Sequence, residues 1–171
     1  MEGNAGRKTD GDFVYRRCML SLLFYRYESE FCARKMGEDF SYESLRDDEA
    51  EKMRSEMIEK QGFFIRPSEL FRNLTERAEE EKDLGAKIAE IFESVRKSAD
   101  GRPEAESPVL ELFDRTDFEY GKTEEERMAR NRLIGKLLSA IGDLKVGERG
   151  KWTLAEFADA YELLSKADEP D

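Results

Sequence analysis

Between Leu84 and Ala99 the apolar residues Leu84, Ile88, Ile91, Phe92, Val95 and Ala99 stand at offsets of four, seven, eight, eleven and fifteen. That spacing follows the 3.6-residue turn, so one side of an α-helix collects every large apolar group, which the two-residue period of a strand cannot do. Nowhere does the chain alternate apolar and polar residues long enough for a sheet, and no segment recurs at a fixed period. The same helical rhythm runs through most of the sequence. The expected fold class is therefore all-α: a single multi-helix bundle domain of five main helices plus short helical turns.

From Asp12 to Lys35 there is neither Gly nor Pro, and Asp12 can serve as an N-cap. A long first helix is expected there, behind a flexible tail over residues 1–11. Two rows, Leu20–Phe24–Tyr27–Phe31 and Val14–Cys18–Leu22–Tyr25, make it apolar over most of its girth, as suits a central element. Arg16, Arg17 and Arg26 interrupt the rows and are expected to snorkel or pair at the surface. Asp47-Asp48-Glu49 favours a second helix start, striped by Ala50, Met53, Met57 and Ile58 and stopped by Gly62. Ser107-Pro108 opens a short helix bearing Val109, Leu110, Leu112 and Phe113.

Thr123 with Glu126 forms a capping box that opens a longer helix, with Met128, Leu133, Ile134, Leu137, Leu138 and Ile141 as its stripe and Gly142 as its end. A second box, Thr153 with Glu156, follows Trp152 as a hydrophobic staple and leads into Leu154, Phe157, Ala158, Tyr161 and Leu164. The folded domain is thus expected over residues 12–164, with a frayed tail at 165–171.

The stretch Gln61–Phe71, QGFFIRPSELF, concentrates large apolar groups in a chain that is 40% charged. Phe63-Phe64-Ile65 is too short for a helix, and Arg66, preceding Pro67, is pushed to extended geometry. The segment reads as a seam around which helices pack, with Pro67 or Ser68 starting a short helix through Leu70, Phe71 and Leu74.

The chain has no histidine, which removes Ser-His-Asp and Cys-His catalysis, HExxH zinc sites and the HxE deaminase signature together. Cys18 and Cys32 lie in one expected helix about 21 Å apart, beyond disulfide reach, and read as buried reduced thiols of a cytosolic protein. No two glycines are separated by a single residue, so phosphate-cradling GxGxxG loops are missing, and Gly147 with Gly150 reads as a turn. Glu79-Glu80-Glu81 and Glu124-Glu125-Glu126 sit at helix starts, where acids suit the dipole. No apolar run reaches membrane-spanning length.

With a net charge of −11, bulk electrostatics do not draw this chain to DNA; any contact needs a local basic patch. The best candidate is Arg127, Arg130, Arg132 and Lys136 on the helix opened by Thr123, as a DNA or subunit contact, although the nearby glutamates can pair with them.

Taken together, GDFVYRRCMLSLLFYRYESEF, GFFIRPSELF, LFDRTDFEYG, MARNRLIGKLLSAIGDLKVGE and FADAYELL resemble, in order and spacing from Asp12 to Leu164, the N-terminal helical domain of the methylation subunit of type I restriction–modification systems. The resemblance implies a non-catalytic domain of an N6-adenine DNA methyltransferase subunit. Its role would be assembly with the specificity and restriction subunits and closure around DNA, in the cytoplasm. S-adenosylmethionine is expected only for a catalytic domain beyond Asp171. The chain lacks a Gly-x-Gly loop and the Asn-Pro-Pro-aromatic motif, so no catalytic, cofactor-binding or metal-binding residue is carried over. The rival reading is a stand-alone acidic interaction module, anti-restriction or DNA-mimic-like; a stand-alone enzyme needs carboxylates that converge in the fold.

Overall fold

The computed structural model describes residues 2–36, 41–102 and 107–144, together with the helical residues Asp159 and Glu162. Among these residues there are seven α-helices and no strand: α1 (Glu2–Met36), α2 (Asp47–Glu51), α3 (Arg54–Gln61), α4 (Phe71–Glu76), α5 (Leu84–Ser98), α6 (Pro108–Arg115) and α7 (Glu124–Asp143). Three single 3-10 turns, Tyr42–Ser44, Pro67–Glu69 and Ala78–Glu80, link them. Five of the helices run eight residues or more. The all-α reading holds. Trp152, the Thr153 box and the stripe from Leu154 to Leu164 lie outside the described residues, apart from the exposed Asp159 and Glu162.

α1 is the axis of the fold and packs on α4, α6 and α7, while α5 lies against α6 and α7. Its row Cys18–Leu22–Tyr25 is buried and the row Leu20–Phe24–Tyr27–Phe31 is half-buried. α1 begins at Glu2, well ahead of the Asp12 start read from the sequence, and Asp12 is an interior position rather than a cap. No proline interrupts residues 2–36, and extending an existing helix costs far less than nucleating one. The second expected helix is two, because Lys52 and Met53 form a turn between α2 and α3. Gly62 ends α3 with φ of 94°, a left-handed conformation that a Cβ would strain.

One continuous core joins the helices. At its centre the Phe92 ring meets Tyr25 edge-on at 5.3 Å, Phe118 edge-on at 5.2 Å and Phe113 stacked at 4.2 Å. Tyr25 also meets Phe71 edge-on at 5.5 Å. Both cysteines are free and buried, and burial pushes the Cys18 thiol up to about 12 and the Cys32 thiol up to about 11, so neither is a ready nucleophile.

The aromatic-proline segment is the seam the sequence suggested. Phe63, Phe64, Ile65, Leu70 and Phe71 are all buried, each worth roughly 1.5–3 kcal/mol by removal from water. An extended buried backbone needs partners, and surrounding side chains supply them. The Tyr42 hydroxyl donates to the Ile65 carbonyl at 2.5 Å and the Tyr25 hydroxyl donates to the Glu69 carbonyl. The Phe64 N–H donates to Ser98 Oγ at 2.8 Å, the Phe71 N–H to Ser29 Oγ at 3.0 Å and the Ser68 N–H to Asp47 Oδ1 at 3.0 Å.

Candidate groove on the outer face of α7

α7 starts where Thr123 Oγ1 accepts from the Glu126 N–H at 3.1 Å, the N-cap half of the expected box. The helix runs through Gly142 to Asp143 and buries Ile134, Leu137, Leu138 and Ile141. Its far end is closed from another element. The buried Arg26 donates through Nη1 to the carbonyls of Ile141 and, at 2.9 Å, Leu144, and its Nε lies 2.8 Å from Glu30. A cation on the terminal carbonyls of a helix suits both the orphan acceptors and the dipole. Arg26 is therefore an interior cap, not a surface group.

The four candidate cations of α7 separate. Each residue turns about 100°, so Arg132 and Lys136 lie about 40° apart, whereas Arg127 and Arg130 lie about 140–160° round the helix. Arg130 is buried and is no surface contact. Its guanidinium pairs with Asp83, donates to the Tyr120 carbonyl at 3.0 Å and donates to Asn131 Oδ1 at 3.1 Å. Asn131 in turn donates to Asp83 at 3.3 Å and accepts the Gly85 N–H at 3.0 Å. Asp83 also caps α5 by accepting the Ala86 N–H at 3.2 Å. Partial burial pushes the Asp83 carboxyl up, but the Ala86 N–H, the Arg130 charge and the Asn131 amide together hold it below the ordinary range. The Asp83–Arg130–Asn131 cluster locks the start of α5 to α7. Arg127 is exposed and donates to the Lys122 carbonyl at 3.0 Å.

Arg132 and Lys136 are exposed and line one open groove of about 820 Å³ between α7 and the 75–84 connection. Lys82, Glu79 and Glu81 border it from that connection, and Met128, Ser139 and Asp143 from α7. Met128, placed in the apolar stripe on sequence grounds, is 54% exposed, the one large apolar side chain so exposed among the described residues. It precedes Ile134 by six residues, about 600° of rotation, which carries it off the buried side. Arg132, Lys136 and Asp143 form no ion pair among the described residues. Lys82 and Asp143 went unnoticed in the sequence; helical phase from Arg132 identifies Asp143, but nothing local marks Lys82. The groove offers charge of both signs and an apolar edge. It brings together no histidine, cysteine or carboxylate cluster able to hold a metal among the described residues. No helix among them is long and apolar enough to cross a membrane.

A family model described as the HsdM N-terminal domain matches residues 8–141. The chain is also 33% identical over 174 aligned residues to the type I restriction enzyme MpnII methylase subunit of Mycoplasma pneumoniae, covering 92% of this chain and 32% of that relative. It therefore spans about a third of the relative's length. No solved structure matches.

Proposed function

Because the chain belongs to the HsdM N-terminal domain family, we propose that it is the non-catalytic helical domain of a type I restriction–modification adenine DNA methyltransferase subunit. In this reading it supports assembly with the specificity and restriction subunits and closure of the complex around DNA, in the cytoplasm. S-adenosylmethionine belongs to the remainder of the subunit. The carrying observation is the collinear match to a methylase subunit of which this chain spans only 32%. The stand-alone acidic module is not favoured by it. The internal use of Arg26, Arg130 and Asp83 supports a scaffold, since these ionisable groups hold helices together.

Within that role the outer face of α7 is the contact surface, with Arg132 and Lys136 as its cations. The test uses the full-length methylase subunit carrying Arg132→Ala and Lys136→Ala in the reconstituted complex. If both cations meet phosphates, the slope of log affinity against log salt falls by about 1.8, at about 0.9 per phosphate. An unchanged slope with assembly intact removes DNA as the partner of this face. Tight S-adenosylmethionine binding by the isolated chain overturns the non-catalytic assignment.

A further inference from the structure

α1 carries apolar rows on two sides. Cys18, Leu22 and Tyr25 are buried in the core, whereas Leu20, Phe24, Tyr27 and Phe31 are half-buried. At about 100° per residue, the second row is centred about 150–160° round the helix from the first. It forms a continuous strip about 16.5 Å long, in which the Tyr27 and Phe31 rings stack at 6.3 Å. Between Val14 and Ala33 only Arg16 is exposed, so this part of α1 is covered nearly all round, as a central helix is. We propose that the outer row is the seat of this chain's own C-terminal stripe, Leu154, Phe157, Ala158, Tyr161 and Leu164, so that α1 is held between the core and the end of the chain.

Length, phase and charge support this occupant. The stripe covers about 15 Å as a helix, close to the length of the row. Asp159 and Glu162, the two described residues of that segment, are helical and exposed. Their phase lies about 130° from the centre of the stripe, which turns the apolar side away from solvent. By the same phase Arg16 and Arg34 border the row on one side, and Arg17 and Lys35 on the other. The segment supplies the opposite sign, with Glu156, Asp159, Glu162, Asp168, Glu169 and Asp171 against Lys166 alone.

The chain also leaves α7 within reach of the row. Arg26, which stands between Phe24 and Tyr27 in the sequence, donates to the Leu144 carbonyl at 2.9 Å, so residue 145 starts out beside this stretch of α1. Residues 145–153 can span up to about 30 Å, enough to bring Leu154 to either end of the row. The contact goes beyond the assembly reading and does not depend on it.

The experiment is NMR of the 171-residue chain with labelled leucine methyls and protonated Phe and Tyr rings in a deuterated background. The expected result is nuclear Overhauser contacts from the Phe157 or Tyr161 ring to Leu20, Phe24 or Tyr27, undiminished on dilution. Phe157→Ala should remove its share of them and shift the Phe24 and Tyr27 resonances, while Phe92 and Phe113 stay in place. The parent spectrum decides the matter even where that variant fails to fold. A parent chain without these contacts, or with Phe157 and Tyr161 joined to other groups instead, overturns the proposal. So does a contact that appears between differently labelled copies in a mixed sample and fades on dilution, which would give the row to a second chain.

Discussion

Gly85, the second residue of α5, separates two lines of reasoning that differ in sign. Helix propensity alone says that Gly85→Ala stabilises by about 0.5–1 kcal/mol. The structure says otherwise: a Cβ there would lie 2.1 Å from the Phe118 carbonyl oxygen and 2.8 Å from Arg130 Nε. The first of these atoms is backbone and cannot swing aside, so the 118 loop and α5 must part by roughly 1 Å or more, an overpacking cost of about 1–3 kcal/mol. Parting them also stretches the 3.0 Å bonds from Gly85 N–H to Asn131 and from Arg130 to the Tyr120 carbonyl, each worth about 0.5–1.5 kcal/mol. After the propensity gain, the net loss is about 1–5 kcal/mol, at about 2–4 °C of melting temperature per kcal/mol for a domain of this size. Gly135→Ala is the control, because its Cβ would meet only Leu84 Cδ2 at an ordinary 3.9 Å and should gain the propensity term, about 0.5–1 kcal/mol. Both variants are compared by far-UV circular dichroism in urea and heat. If Gly85→Ala is as stable as the parent, or the two variants move together, the close approach of α5 to the 118 loop is not what selects glycine.

Arg26→Met should lower the urea midpoint by about 1–3 kcal/mol of stability with an unchanged m-value, because the last carbonyls of α7 lose a buried cationic donor; no loss would show that α7 ends equally well without it. Burial pushes the Glu28 carboxyl up from 4.5 to about 7, so the fold prefers its protonated form, and the stability this confers is whole below 4.5 and lost as pH rises through about 7. Since Glu28 is only half-buried, the swing should be about 1–2 kcal/mol, and Glu28→Gln should flatten it; parent and variant with the same dependence between about pH 4.5 and 8 would remove burial as the cause.

What could be read from the sequence was what local chemistry decides. The α5 stripe and the Ser107 and Thr123 caps depend on neighbours a few residues away, and the local density of large apolar groups marks Phe63, Phe64, Ile65, Leu70 and Phe71 for burial. The break at Lys52-Met53 was not legible, because the residues around it are ordinary helix formers and the turn follows from packing. Arg130 and Arg132 are two residues apart and look alike in sequence, yet one is buried against Asp83, 47 positions away, and the other faces solvent. Only helical phase tells them apart, and phase has meaning once the buried side of α7 is known. The groove was half legible for the same reason: Arg132 and Lys136 share a face by spacing, but Lys82 reaches it through the fold.

The seam carries a consequence for how the molecule assembles and comes apart. Its carbonyl and amide partners come from Tyr25 and Ser29 on α1, Tyr42, and Ser98 at the end of α5. Residues 63–71 therefore cannot reach their final shape until helices distant in the chain have already met, which makes them late participants in folding. The reverse also follows. Loosening this connector withdraws partners from α1 and α5 at once, so local opening there spreads, and the described helices should melt as one cooperative unit rather than peel away singly.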